Sequence, residues 1–106
     1  MPYATPLTAA EADDALRRLP EWTRDGEWIS RTVELATFRA AIALVNEVAD
    51  AAEDADHHPD IDIRWRRVTF RLTTHAAKAL TARDVDMASR IDELSARALG
   101  IESASR

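Results

Sequence analysis

The sequence predicts an α+β two-layer sandwich: a four-stranded antiparallel sheet with helices packed on one face, in the order α-β-β-α-β-β-α. Three observations carry this. Two stretches carry strand signals, and in the second apolar and polar residues alternate with a period of two, the mark of strands with one face on a core. Each is interrupted by a short polar connection and so reads as a hairpin. Three stretches with apolar residues at helical spacing stand before, between and after the hairpins.

The first helix begins at Thr8. Glu11 lies three residues on, the pattern of a capping box. Ala12, Leu16 and Leu19 follow at helical spacing, and Pro20 marks the stop. Trp22–Arg24 and Trp28–Glu34 flank Asp25-Gly26-Glu27 and form the first hairpin. The second helix spans Thr37 to Ala55, rich in alanine and free of Gly and Pro, with Phe38, Ile42, Val45, Ala49 and Ala52 as its apolar stripe. In the second hairpin Ile61, Ile63 and Trp65 alternate with Asp60, Asp62 and Arg64. Val68, Phe70 and Leu72 then alternate with Thr69, Arg71 and Thr73. The turn is expected at Arg66-Arg67, and the alternation favours Trp65 in the core. The third helix starts at Thr81, with Asp84 three residues on. Met87, Ile91, Leu94 and Ala98 recur along it, and Gly100 is placed to cap its end. No linker, repeat or low-complexity segment intervenes, so residues 1–106 read as one domain.

Composition narrows the function. The net charge is -5 and the basic residues are dispersed, which argues against nucleic acid and against anionic membrane surfaces. No apolar run approaches the roughly 20 residues of a membrane span. Without cysteine there is no disulfide, thiolate nucleophile or zinc-thiolate site. Met1 to Thr8 lacks the basic and apolar regions of a secretory signal, so a cytoplasmic location is expected. The open sheet face or an edge strand leaves room for a homo-oligomeric contact, dimer or tetramer. Arg64, Arg66, Arg67 and Arg71 fit a solvated sheet face or a subunit contact, since acids surround them.

The 3 histidines stand where elements end. His57 and His58 close the second helix, and Pro59 drives His58 into an extended conformation. His75 follows the last strand of a hairpin that returns the chain toward them. Imidazoles at element ends suit proton transfer, because one donates while another accepts. Such groups contribute roughly 10²–10⁴-fold each in rate. Other readings stand beside this one. His57-His58 can be a polar helix end. Three histidines can hold zinc, although adjacent histidines rarely point at one ion. Asp84 can serve simply as a helix cap, and Glu53, one turn before His57, as an exposed helix residue.

Read together, the chain has Glu53, three residues, His57-His58-Pro59, five residues, Trp65, nine residues, His75, eight residues, Asp84. This pattern resembles the signature of the pterin-4a-carbinolamine dehydratases, also called 4a-hydroxytetrahydrobiopterin dehydratases. Thr74-His75, Leu80-Thr81 and Arg83-Asp84 resemble the family as well. Two departures are visible: Ile61 where the family commonly has an aromatic, and Ala79 where it commonly has glycine.

The resemblance implies a hydro-lyase that removes water from 4a-hydroxy-tetrahydropterin to give quinonoid dihydropterin, in pterin cofactor recycling, with no cofactor and no metal. It makes His57 and His75 general acids toward the 4a-hydroxyl. His58 becomes a pterin ligand able to take the N5 proton. Glu53 and Asp84 orient histidines or line the pocket, Trp65 and Arg83 lie behind them, and Pro59 and Thr74 bind or orient. The alternative is a non-catalytic interaction module on the same fold. Such a relative is expected to lose a histidine, and this chain keeps all three.

Overall fold

The structure, a computed structural model, describes residues 4–100. Helix α1 (Ala9–Arg17) opens on the expected capping box: the Glu11 N–H donates to Thr8 Oγ1, and the Thr8 N–H to Glu11 Oε1. It stops three residues before Pro20, and Leu19 packs into the core from the connection. Strands β1 (Thr23–Asp25) and β2 (Trp28–Glu34) meet across a turn at Gly26-Glu27, where Gly26 takes a φ of 62°. β1 begins one residue later than the sequence suggests, because Trp22 is drawn into the core. Its indole N–H donates to Asp92 at 2.8 Å, and Asp92 also receives Arg31 at 2.6 Å.

Helix α2 (Phe38–Ala55) is followed by β3 (Asp60–Arg64), β4 (Arg67–Leu72) and α3 (Ala82–Ala98). The sheet order is β1-β2-β4-β3, antiparallel at every pairing. The register sets Ile29 against Leu72, Val33 against Val68 and Ile61 against Phe70, so these side chains share one face. Against that face pack Ala41, Leu44, Val48 and Ala52 of α2, with Met87, Ala88, Ile91 and Leu94 of α3. Burying a side chain the size of Phe70 or Leu72 contributes about 1.5–3 kcal/mol. The other face carries Trp28, Ser30, Thr32, Asp60, Asp62 and Arg71.

Two expectations are corrected. The buried face of α2 is Ala41, Leu44, Val48 and Ala52, and of the predicted stripe only Ala52 is buried. Phe38 is 51% exposed, Ala49 is exposed, and Ile42 and Val45 are half-buried. The helix is apolar over more than its core side, so periodicity alone could not say which of two neighbouring stripes turns inward. The second correction concerns Trp65. The turn is Trp65-Arg66, one residue early, and ends the alternation before the indole. Trp65 sits in left-handed backbone, φ 55°, and is 71% exposed.

Candidate active site

The chain leaves α2 abruptly. Asp56 turns left-handed at φ 51°, which aspartate tolerates better than most residues. The Asp56 N–H donates to Glu53 O and the His57 N–H to Ala52 O, the paired bonds of a Schellman stop. Arg83 of α3 donates to the Asp56 carbonyl at 2.7 Å and holds the stop in place. The helix therefore ends at Ala55, with Asp56 as the cap just before the histidines, and His57 is buried while His58 stays exposed.

Inward lies Asp84, which is 0% exposed. His57 Nε2 is 2.6 Å from its Oδ1, and its Oδ2 accepts the Thr74 hydroxyl at 2.8 Å and the Thr81 N–H at 2.9 Å. The Thr74 and Thr81 hydroxyls are themselves 2.8 Å apart. A buried carboxyl group is costly unless its oxygens are satisfied, and here both are. With Asp84 accepting, His57 donates from Nε2, which leaves Nδ1 as its uncommitted nitrogen. Asp84 is thus both the cap of α3 and the orienter of His57.

His58 is held differently. Its Nε2 is 2.5 Å from Glu53 Oε2, with the side chains 55% and 75% exposed. An exposed pair contributes about 0–1 kcal/mol, so this contact orients the ring more than it stabilises the fold.

His75 heads a tight loop. The Thr74 N–H donates to Ala79 O, the Ala77 N–H to Thr74 O and the Lys78 N–H to His75 O. The left-handed residue is Lys78, φ 52°, not Ala79, where the family commonly has glycine. Among the described residues no hydrogen bond reaches either nitrogen of the His75 ring. Its contact is Trp28, edge-on, with centroids 5.6 Å apart and planes at 78°. Trp28 in turn lies under the Arg71 guanidinium, 4.4 Å from the ring centroid.

The structure therefore joins His57, Thr74 and Asp84 in one buried network, with His75 the next residue along from Thr74. It joins His58 to Glu53 on the exposed side of the same helix end. Pro59 is half-buried where the chain enters β3. Trp65 shares no hydrogen bond or ring contact with this group; its ring contact is Arg66, at 5.0 Å. Among the described residues no three His, Asp or Glu side chains converge on a point suited to a metal ion. A groove of about 440 Å³ runs between α2 and α3, lined by residues including Glu47, Asp54 and Arg90 but by no histidine. Sequence reasoning missed Thr81, Trp28 and Arg71. Thr81 was hidden in its capping role. Trp28 was detectable only as an indole at a solvent-facing strand position.

These features define a class: an α+β fold with histidines held by carboxylates at the end of one helix and beside the start of another. A crystal structure described as a transcriptional coactivator/pterin dehydratase from Brucella melitensis matches with a TM-score of 0.83 at 31% identity, over 86% of this chain and 99% of that one. A pterin dehydratase-like protein described as a RuBisCO assembly factor in the alpha-carboxysome shares the fold at a TM-score of 0.60 and 17% identity, over 70% of this chain and 86% of that one. Residues 5–94 match the family described as Pterin 4 alpha carbinolamine dehydratase. A protein of Nocardia farcinica provisionally named pterin-4-alpha-carbinolamine dehydratase is 65% identical over 83% of this chain and 93% of its own length. One of Roseiflexus sp. with the same name is 54% identical over 86% and 98%. The chain belongs to the pterin-4-alpha-carbinolamine dehydratase family.

Proposed function

We propose that this protein removes water from 4a-hydroxy-tetrahydropterin to give quinonoid dihydropterin, in cytoplasmic pterin recycling. The observation that carries the reading is the Asp84 network, which ties His57 to the loop bearing His75. In the reaction the C4a–O bond breaks and the hydroxyl leaves as water with a proton from an imidazole. The N5 proton passes to a second imidazole, and its bonding pair forms the C4a=N5 double bond. The elimination is redox-neutral, so it needs no redox cofactor. His75, with both nitrogens uncommitted, suits donation to the hydroxyl. In its imidazolium form His57 keeps Nε2–H on Asp84 and offers Nδ1–H as the second acid, and His58, fixed by Glu53, binds the pterin and takes the N5 proton. Division of acid and base between two groups contributes roughly 10²–10⁴-fold each.

Purified protein should accelerate the decay of 4a-hydroxy-tetrahydropterin in the presence of a chelator, and His75→Ala should remove at least about 90% of the acceleration. Absence of acceleration by the wild-type chain would sink the reading. A protein-interaction role is the second reading, and the names of the two structural relatives favour it. All three histidines of the motif are present here, which supports catalysis as the first. No described helix is long and apolar enough to cross a membrane. The protein is also read as a homo-oligomer, with edge strand β3 and its 39%-exposed Ile63 as the contact.

A further inference from the structure

Two of the three histidines have a carboxylate on Nε2; the third does not. Asp84 holds His57 and Glu53 holds His58. A ring with no hydrogen-bonded partner is free to rotate unless another contact fixes it, and the ring packed against His75 is that of Trp28. The core gives no reason for an indole there. Trp28 has the strand parity of Ser30, Thr32 and Glu34, which face away from Ile29 and Val33. It belongs to neither the signature pattern nor the buried cluster.

The indole is itself held. Arg71 lies over it at 4.4 Å, and the Thr73 hydroxyl donates to the carbonyl of Glu27, the residue before Trp28, at 2.5 Å. Arg71 is also the register partner of Asp60 on β3, two residues beyond His58. The open face of the sheet thus links the His58 segment to His75 through Arg71 and Trp28. On the buried side Asp84 links His57 to Thr74, the residue before His75.

We infer that Trp28 is a positioning residue for His75, clamped by Arg71, and that it does for this imidazole what a carboxylate does for the other two. An edge-on aromatic contact restricts ring orientation without engaging either nitrogen. His75 therefore keeps both nitrogens for proton transfer while losing its freedom to turn. This rests on the dehydratase reading above.

The test is steady-state dehydration of 4a-hydroxy-tetrahydropterin. Trp28→Ala should lower kcat by roughly 10–100-fold, the scale of a misplaced catalytic group, with KM changed by less than about threefold. Trp28→Phe should restore kcat to within roughly threefold, since a phenyl edge can still meet the imidazole. The double variant Trp28→Ala/His75→Ala should be no slower than His75→Ala alone, because residues acting through one another are not additive. In proton NMR the His75 ring resonances, identified by their loss in His75→Ala, should shift in Trp28→Ala as the indole ring current is removed. If Trp28→Ala fails to fold, Arg71→Met carries the test through loosening of the indole, with a kcat loss of roughly threefold or more. A kcat within twofold in both Trp28→Ala and Arg71→Met, additive losses, or unmoved His75 resonances would overturn the role of Trp28. So would a rise in KM at constant kcat, which would assign Trp28 to substrate binding. Inactivity of the wild-type chain would instead overturn the dehydratase reading, and the NMR arm would still report whether the Trp28 ring lies against His75.

Discussion

Asp84 and Glu53 both hold a histidine, yet burial makes them different residues. Asp84 is fully buried and receives His57, Thr74 and Thr81. Asp84→Ala strands three donors, each costing about 1–3 kcal/mol when left unpaired. Urea denaturation should therefore show a loss of about 3 kcal/mol or more, together with loss of dehydration. Glu53 is 75% exposed. Glu53→Gln should change stability by less than about 0.5 kcal/mol, because an exposed pair contributes little. Its effect should appear in turnover, as a kcat loss on the order of tenfold from a freed His58 ring. Equal stability losses in the two variants would mean that the buried network is not what holds the helix end.

At the scale of elements, capping chemistry was the most legible part of the chain. Thr8 with Glu11 and Thr81 with Asp84 start helices where the sequence puts them, because a cap is settled within four residues. The hairpin between β3 and β4 shows the limit. Alternation continues through Trp65 in the sequence, but the strand does not, since the turn takes left-handed backbone at that residue. A buried tryptophan replaced by a small residue costs about 3–5 kcal/mol. Trp65→Asn should cost less than about 0.5 kcal/mol or be stabilising, because the indole is 71% exposed and asparagine tolerates positive φ. Thermal unfolding measures this directly, and a loss above about 2 kcal/mol would return Trp65 to a packed position.

On the scale of the whole molecule, the proposed oligomer places its contact on the edge strand β3. A two-residue turn makes Arg64 and Arg67 the closing pair, so Asp60, Asp62 and Arg64 bond inward to β4 while Ile61 and Ile63 turn their N–H and C=O groups outward. Two copies related by a two-fold axis at Asp62 would pair Ile61 with the partner's Ile63, and Asp60 with the partner's Arg64. Registers shifted by one position would need Pro59, which lacks an N–H, or Trp65, which has left the strand. The two Asp62 side chains meet on the axis, and the Arg64 that pairs with each at 3.4 Å offsets their repulsion. Asp60→Arg and Arg64→Asp should each weaken self-association by roughly tenfold or more. A mixture of the two variants, or the double variant, should restore it. Sedimentation velocity distinguishes these outcomes, and insensitivity to both substitutions would show that association does not run through this edge.

The sequence by itself determined the order of elements, the antiparallel hairpins and the motif that places the chain in its family. Each of these is written in local spacing: period two, period 3.6, caps within a turn, and rare residue types at fixed intervals. Which face of α2 turns inward, which histidine receives which carboxylate, and the contact between Trp28 and His75 were decided only by tertiary structure. Those outcomes depend on side chains up to dozens of residues apart competing for the same neighbour, such as Asp84 accepting His57 while it caps its own helix. No local pattern records the result of that competition, because it is settled by burial and hydrogen-bond satisfaction once the sheet and helices have closed on one another.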